Sequence, residues 1–282
     1  MNKQERIRVF EDTKSLYNSD PFLRASIADS REKTRIIPET EKILFSGVPE
    51  YSGRADIVIS RKRSFEAAEA YAKQGLHVAV HNFASATNPG GGVVNGATAQ
   101  EECLCRCSTL YPCLNVNDAW NNFYGPHREA GDPLHNGDII YTPGVTVFKT
   151  DTDIPVLMKR NDWFNVDVIT CAAPNLRNKP SNQYNPADGN FKADISEREL
   201  RTIHEQRLGR ILSAALAGSC DVVILGAFGC GAFCNPPQVV AEAAKNVISR
   251  YLDHFKVIEF AVYCPPDDDS NFRTFSKILK TR

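Results

Sequence analysis

Short apolar runs alternate with longer segments of helical periodicity along most of the chain. A buried strand of a parallel sheet reads as a continuous apolar run, whereas an amphipathic helix repeats its apolar positions about every 3.6 residues. The alternation therefore predicts a mixed or mainly parallel sheet with helices on both faces. The runs are ADIVIS from Ala55, HVAVHNF from His77, VDVITCAAPN from Val166, DVVIL from Asp221 and KVIEFAVYC from Lys256.

Three segments depart from this pattern. Residues 1–50 contain charged helical pieces, KQERIRVFEDTKSLY and RASIADSREKTR, which predict a helical N-terminal accessory segment packed on an α/β body of residues 51–282, the two forming a single domain overall. GDIIYTPGVTVF predicts two strands around Pro143-Gly144. The polar stretch at residues 177–194, RNKPSNQYNPADGNFKAD, predicts a mobile surface loop near a strand end.

The net charge, the apolar runs and the cysteines of the chain limit the kinds of partner and the cell compartment that we expect. The formal net charge of −1 over 282 residues gives no global basic field, so we expect no direct nucleic-acid binding. No apolar run approaches the roughly 18 residues of a membrane span, and the polar start MNKQERIRVFEDTK lacks the apolar stretch of a secretory signal. Nine cysteines with no small-scaffold pattern favour free thiols in a reducing compartment. We therefore expect a soluble cytoplasmic protein without a membrane partner.

Two glycine-rich stretches each follow an apolar run. ASATNPGGG follows HVAVHNF, and GAFGCGAF follows DVVIL. Both then lie at the carboxyl edge of the sheet, where open α/β folds bind ligands. Glycine allows positive φ and close approach, so successive N–H groups can converge on a diphosphate. The alternative is two plain turns, because neither stretch matches the usual phosphate-loop or dinucleotide patterns.

A Gln-Glu-Glu triplet, Gln100 to Glu102, follows the three glycines after a seven-residue spacer. The apolar positions after it predict a helix, with Thr98 as the expected N-cap. In that helix the triplet is the first turn. Acidic residues also stabilise helix N-termini without any catalytic role, and Glu102 is placed to pair with Arg106.

The cysteines after the triplet invite a zinc hypothesis, which helical geometry disfavours. Cys103 and Cys107 are expected on the buried stripe, while Cys105 points elsewhere, and the chain contains no C-x-x-C spacing. We expect these thiols and Cys113 to pack as small hydrophobic groups. No metal and no cofactor are expected.

Together, the glycines, the spacer and the triplet resemble the signature of poly(ADP-ribose) glycohydrolases. NFASATNP, LCRCSTLYPCL and GAFGCGAFCNPP resemble the shorter, microbial form of that family. The resemblance extends from about Ala55 to Cys264, and the N-terminal helices resemble the accessory segment that precedes the family's core.

The resemblance implies a macrodomain-like three-layer α/β/α fold with a mixed sheet, and ADP-ribose lying across the strand ends. Glu102 would be the catalytic acid, and Glu101 would orient ribose hydroxyls. The implied substrate-binding residues are Asn88, Gly90, Gly91, Gly92, Gln100, Gly229, Cys230, Gly231, Ala232 and Phe233. Val147 and Phe148 are adenine-side candidates on the resemblance alone.

The implied reaction is hydrolysis of ribose–ribose O-glycosidic bonds from the polymer end. One carboxyl can protonate the departing oxygen and then activate water, provided that its pKa is raised. Implied partners are poly(ADP-ribose) or an ADP-ribosylated protein, with ADP-ribose as product. The alternatives are an ADP-ribose-binding macrodomain, a mono-ADP-ribosyl hydrolase, and a thiol-dependent hydrolase using Cys230 or Cys234.

Overall fold

A mixed sheet forms the centre of the protein. The computed structural model describes residues 1–45, 50–51, 53–183 and 185–280. Within them the sheet has seven strands in the order β1-β4-β5-β3-β6-β7-β2. β4 is antiparallel to both its neighbours, and the other neighbouring pairs are parallel. The strands are β1 Arg35–Ile37, β2 Asp56–Ser60, β3 Val78–Ala84, β4 Ile139–Val147, β5 Phe164–Ala172, β6 Val222–Leu225 and β7 Val257–Ala261.

Helices cover both faces of this sheet. They are α1 Lys3–Ser19, α2 Pro21–Lys33, α3 Ser64–Ala72, α4 Gln100–Cys107, α5 Leu110–Leu114, α6 Asn117–Ala119, α7 Gly125–Ala130, α8 Glu197–Ala217, α9 Pro237–Ile248 and α10 Ser270–Lys280. Short 3₁₀ or π turns occur at Val93–Asn95, Trp120–Tyr124 and Arg160–Asp162. Among the described residues, none of the helices has the length and hydrophobicity needed to cross a bilayer.

Burial on both faces explains the continuous apolar runs. In β6, Val223 and Leu225 pack into the core under α8 and α9, while Val222 and Ile224 pack into the core under α3 and α4. Successive side chains of β6 therefore enter the two cores in turn, which is why this strand is apolar at every position. The predicted macrodomain-like three-layer α/β/α fold with a mixed sheet is confirmed.

GDIIYTPGVTVF does not form two strands. It is the single strand β4, whose register with β5 shifts between Thr142 and Val145. Pro143 has no N–H to donate to the ladder, and Gly144 adopts φ +68°. The turn residues thus produce a bulge instead of a chain reversal.

The N-terminal segment is helical, as predicted, and also contributes the edge strand β1. Phe10 of α1 is fully buried and meets Tyr111 edge-on, with the ring centroids 5.0 Å apart. The Lys149 ammonium, 2% exposed as a residue, donates to Asp12 at 2.6 Å. The division at residue 50 stays a prediction, because residues 46–49 and 52 lie outside the described residues.

We predict that Phe10→Ala lowers the free energy of unfolding by about 3–5 kcal/mol, because it leaves a cavity in a shared core. Urea denaturation measures the change. Phe22→Ala is the matched control, since Phe22 is 48% exposed, and it should cost less than about 1 kcal/mol. Equal small losses for both variants would mean that α1 is not part of the cooperative core.

Candidate active site

A cleft of about 830 Å³ lies along the carboxyl edge of the sheet. The chain segments that follow β2, β3, β5, β6 and β7 all contribute to its lining. The predicted site residues that line it are Gly91, Gln100, Glu101, Glu102, Gly229, Gly231, Ala232 and Phe233. Both glycine loops and the triplet therefore meet at one cleft.

The other four predicted residues, Asn88, Gly90, Gly92 and Cys230, are not among the residues that line the cleft. The Asn88 carboxamide oxygen accepts a hydrogen bond from the Arg128 guanidinium. Their roles as ligand contacts stay predictions, and Gly92 has a separate function that involves Glu102.

Gln100 starts α4 and fixes its first turn to the sheet. Its side-chain NH₂ donates to the His81 carbonyl at 2.8 Å and to Ser64 Oγ at 2.9 Å, and its oxygen accepts from the Phe83 N–H at 2.9 Å. The prediction of Thr98 as N-cap is wrong: the N-cap is Ala99, which has no side-chain hydrogen bond to offer. The three side-chain hydrogen bonds of Gln100 hold the start of α4, where a capping side chain would otherwise do so.

Both oxygens of Glu101 accept hydrogen bonds within the protein. Oε2 accepts from the Ser85 N–H at 2.7 Å, and Oε1 accepts from the Asn82 carboxamide at 3.2 Å. The residue is 2% exposed. This carboxyl group is therefore fixed in orientation at the end of β3.

Glu102 is held by one oxygen only. Its Oε1 accepts from the Gly92 N–H at 2.8 Å, while Oε2 is buried and has no hydrogen-bond partner among the described residues. Gly91 adopts φ +57°, and a Cβ there would lie 2.5 Å from Glu102 Oε1. A glycine is needed at this position both for its backbone conformation and for the space that the carboxyl group occupies.

Burial raises the pKa of both carboxyl groups. For Glu101 the negative charge of Glu102 raises the pKa further. For Glu102 the burial outweighs the hydrogen bond from Gly92 and the positive charge of Arg106, which act in the opposite direction. A buried acid pair of this kind favours retention of a proton, which is what a general acid requires.

The second glycine loop narrows the cleft from the β6 side. Gly229 has φ +76°, and a Cβ there would come within 2.6 Å of the Ala173 Cβ. A Cβ on Gly231 would meet no atom within 4 Å, so this glycine faces open cleft. Phe233, 9% exposed, forms an apolar wall beside it. Gly229 is thus required by packing, whereas Gly231 leaves room for a ligand.

Part of the segment at residues 177–194 forms a wall of the cleft, so the prediction of a surface loop is wrong there. Asp188 is fully buried and accepts from Thr87 Oγ1 at 2.7 Å. Asn185 lines the cleft and accepts from Ser85 Oγ at 2.6 Å. Polar turn residues in the sequence gave no signal of this burial, and Tyr184 lies outside the described residues.

Cys103 lines the cleft, contrary to the expectation that it points inward. Its Sγ lies 3.5 Å from a guanidinium nitrogen of Arg63 and 3.3 Å from one of Arg106. Cys105 is instead fully buried, because α4 is covered on both sides by α1 and β3. The same Arg63 guanidinium stacks on Tyr263, 3.9 Å from the ring centroid, at the end of the cleft next to β7.

The adenine-side expectation for Val147 and Phe148 is wrong. They are 1% and 0% exposed and pack in the apolar interior beneath the N-terminal helices. Tyr263, 42% exposed, is an aromatic residue that does line the cleft, and it is not among the residues predicted from the sequence. Tyr263 lies near the end of the apolar run KVIEFAVYC, two residues after β7, and this position at a strand end is the signal in the sequence.

The fold and site define a class, a macrodomain-type protein with a buried acid pair at its ligand cleft. The family model of the microbial-type PARG catalytic domain matches residues 4–150. The chain therefore belongs to the microbial-type poly(ADP-ribose) glycohydrolase family. No curated protein sequence matches it.

Solved structures of two bacterial enzymes are similar over almost the whole chain. The poly(ADP-ribose) glycohydrolase of Thermomonospora curvata is 29% identical over 97% of this chain and 99% of its own, with a TM-score of 0.82. The same enzyme bound to the inhibitor ADP-HPD is 28% identical, with a TM-score of 0.79 over the same shares. The Deinococcus radiodurans enzyme in complex with ADP-ribose is 28% identical over 90% of this chain and 96% of its own, with a TM-score of 0.74.

We predict that Glu102→Gln stabilises the protein at pH 8 and not at pH 4. Between the ordinary carboxyl pKa of 4.5 and the raised folded value, the native state keeps a proton that the unfolded state loses. The contribution of Glu102 to the free energy of unfolding is therefore fully present below the ordinary pKa of 4.5, and it is lost as the pH rises through the raised folded pKa. Glutamine cannot ionise and still accepts from Gly92.

Thermal melts at both pH values measure the effect. We expect the variant to melt a few degrees higher than wild type at pH 8, since 1 kcal/mol corresponds to roughly 2–4 °C in a protein of this size. A variant that melts lower than wild type at pH 8 would contradict a carboxyl group destabilised by burial.

Proposed function

We propose that this chain hydrolyses the ribose–ribose O-glycosidic bonds of poly(ADP-ribose) from the free end, with Glu102 as general acid and base. The observation that carries the proposal is the Glu102 carboxyl group. It is 5% exposed in a ligand-sized cleft and fixed through Oε1, and its Oε2 has no hydrogen-bond partner in the described part of the chain. An isolated buried oxygen is costly unless something that binds in the cleft satisfies it.

In the proposed reaction Glu102 protonates the departing 2′-oxygen while the C1″–O bond breaks. The oxocarbenium-like centre that develops on the ribose is then attacked by water, which gives its proton to the same carboxylate. The enzyme is restored, and ADP-ribose leaves with one hydroxyl from water. Burial supports the first step, because it raises the pKa of Glu102 and so favours the protonated carboxyl group.

Glu101 is assigned a positioning role. Its two oxygens already accept from Ser85 and Asn82, so it is a poorer proton carrier than Glu102. A carboxyl group in a fixed orientation is suited to accepting hydrogen bonds from ribose hydroxyls. We therefore place the terminal ribose against Glu101, with its C1″ towards Glu102.

The strand order suggests the direction of the bound ADP-ribose. The acid pair lies at the end of β3, the Gly229–Phe233 loop follows β6, and Tyr263 follows β7. A ligand that runs along this edge places ribose, diphosphate and adenosine in that order. The exposed Tyr263 ring is then a stacking surface for adenine.

The binding-module alternative does not explain the acid pair, because recognition of a diphosphate requires neither buried carboxyl group. The thiol alternative is disfavoured, because burial raises the pKa of the Cys230 thiol to about 12. Cys230 Sγ contacts the Phe228 carbonyl at 3.8 Å, and this contact supplies no base. A mono-ADP-ribosyl hydrolase would make the same contacts with ribose and diphosphate. Assays with defined polymer and with mono-ADP-ribosylated protein distinguish the two activities.

The proposed partners are the polymer or an ADP-ribosylated protein, with ADP-ribose as product. All nine cysteines are free thiols, which suits the reducing cytoplasm where we propose that the protein acts.

We predict that Glu102→Gln lowers the rate of ADP-ribose release from defined polymer by at least 10²–10⁴-fold. Glutamine retains the size and the Gly92 hydrogen bond but cannot transfer a proton. ADP-ribose affinity by calorimetry should stay within about tenfold, or roughly 1.4 kcal/mol. Mono-ADP-ribosylated protein, assayed in parallel, measures the substrate preference.

Two further variants act as controls in that assay. Glu101→Gln should weaken binding as well as turnover, because it alters ribose positioning. Cys230→Ser should retain most of the activity. Near-normal turnover in Glu102→Gln combined with an inactive Cys230→Ser would overturn the acid mechanism in favour of the thiol mechanism.

We predict that Gly231→Val weakens ADP-ribose binding by at least tenfold without lowering the melting temperature. Its side chain would point into open cleft instead of into protein. Gly229→Val is the matched contrast, because a Cβ there overlaps Ala173 and Asn235, and it should lose stability as well. Unchanged ADP-ribose affinity in Gly231→Val would remove this loop from the ligand site.

A further inference from the structure

A second cluster of reactive side chains lies at the amino edge of the sheet, opposite the cleft. His77 directly precedes β3, Asp167 lies near the start of β5, and Cys220 precedes β6. One ligand-type atom from each of the three, a nitrogen, an oxygen and a sulfur, lies within 4.8 Å of the others. Asp167 Oδ2 is 3.0 Å from His77 Nε2 and 3.8 Å from Cys220 Sγ.

The surroundings orient each of these atoms towards the others. His77 Nδ1 donates to the Ser219 carbonyl at 3.2 Å, so Nε2 faces Asp167 and shares with it the proton that a metal ion would replace. The other oxygen of Asp167 accepts from the Gly144 N–H at 3.0 Å. A backbone carbonyl behind a histidine and a hydrogen bond behind a carboxylate are the outer-shell partners that metal ligands have.

The backbone around Cys220 is strained in a way that supports this geometry. Ser219 has φ +59°, a conformation that is uncommon for a residue other than glycine. It presents its carbonyl to His77 and the next side chain to Asp167. Tyr141 Oη also donates to Asp167 Oδ2, and Gly218 leaves the space that the tyrosine ring occupies.

We propose that His77, Asp167 and Cys220 form a zinc-binding site, with the fourth position taken by Tyr141 Oη or water. Imidazole, carboxylate and thiolate are the ligands that Zn²⁺ prefers. Bond lengths of about 2.0–2.3 Å imply separations of roughly 3.3–3.7 Å between ligand atoms in a tetrahedron. The two separations from Asp167 Oδ2, 3.0 and 3.8 Å, lie close to this range, and all three ligand atoms lie within 4.8 Å of one another.

Charge balance and access both allow the ion to bind. Binding releases the thiol proton of Cys220 and the proton held between His77 and Asp167, so Zn²⁺ replaces two protons. The neighbouring Asp221 is not counted as a ligand, because its carboxylate is engaged by Tyr51, Lys256 and the His77 N–H. The His77 side chain is 43% exposed, which provides an entry path from solvent.

The ligands come from three segments far apart in the sequence, so their spacing resembles no known zinc motif. An ion here would tie the starts of β3, β5 and β6 together at the edge opposite the acid pair. We assign it a structural role, independent of the proposed glycohydrolase reaction.

The test uses the full chain, treated with a chelator and dialysed, and then titrated with zinc chloride. We expect one strong site per chain by calorimetry and a melting temperature raised by about 5–10 °C at hundredfold excess over Kd. Co²⁺ added in place of Zn²⁺ should produce a thiolate-to-metal absorption band. Absence of stoichiometric binding to the wild-type chain would overturn the proposal.

The variants locate the site. His77→Gln and Cys220→Ser should each weaken zinc binding by at least about 100-fold, and Cys220→Ser should abolish the cobalt band. His254→Gln and Cys113→Ser are the matched controls and should bind like wild type. His77→Gln changes a half-exposed side chain, so the test remains valid if Cys220→Ser folds poorly. Normal zinc binding in His77→Gln, or binding lost only on Cys103→Ser, would contradict the assignment.

Discussion

Two carboxyl groups buried at the first turn of one short helix are the constraint on which the rest of the site depends. Backbone N–H groups of Ser85 and Gly92 each hold one of them. The chain between β3 and α4 must therefore fold back so that its amides face the helix start. Gly91 is the residue that makes this approach possible, because no side chain fits between its backbone and Glu102.

Such a pair is unfavourable for folding, and the surrounding structure has to hold it in place. Gln100 ties the helix start to β3, and the buried Phe10 of α1 packs in the same core as Leu104 of α4. Asn185 adds a hydrogen bond to Ser85 from the opposite wall. The N-terminal helices and the described part of the 177–194 segment thereby stabilise the geometry of the acid pair.

Features governed by local pattern could be predicted from the sequence. Strands such as β6, buried on both faces, produce apolar runs, and the two glycine loops mark strand ends. Features that depend on which elements pack together could not be predicted from the sequence. Cys103 and Cys105 exchange their expected environments because α4 is covered on both sides, and Pro143-Gly144 forms a bulge because β4 continues its pairing with β5. The burial of Asp188 depends on Thr87, about a hundred residues away.

The most direct test of the central claim is the pKa of Glu102 itself. Carbon-13 NMR of side-chain-labelled glutamate, with Glu102→Gln and Glu101→Gln to assign the signals, follows the carboxyl groups through a pH titration. The account predicts that the Glu102 signal titrates above the ordinary value of 4.5, with Glu101 also raised. A Glu102 carboxyl group that titrates at or below 4.5 would contradict it, because a group already ionised cannot protonate the departing oxygen.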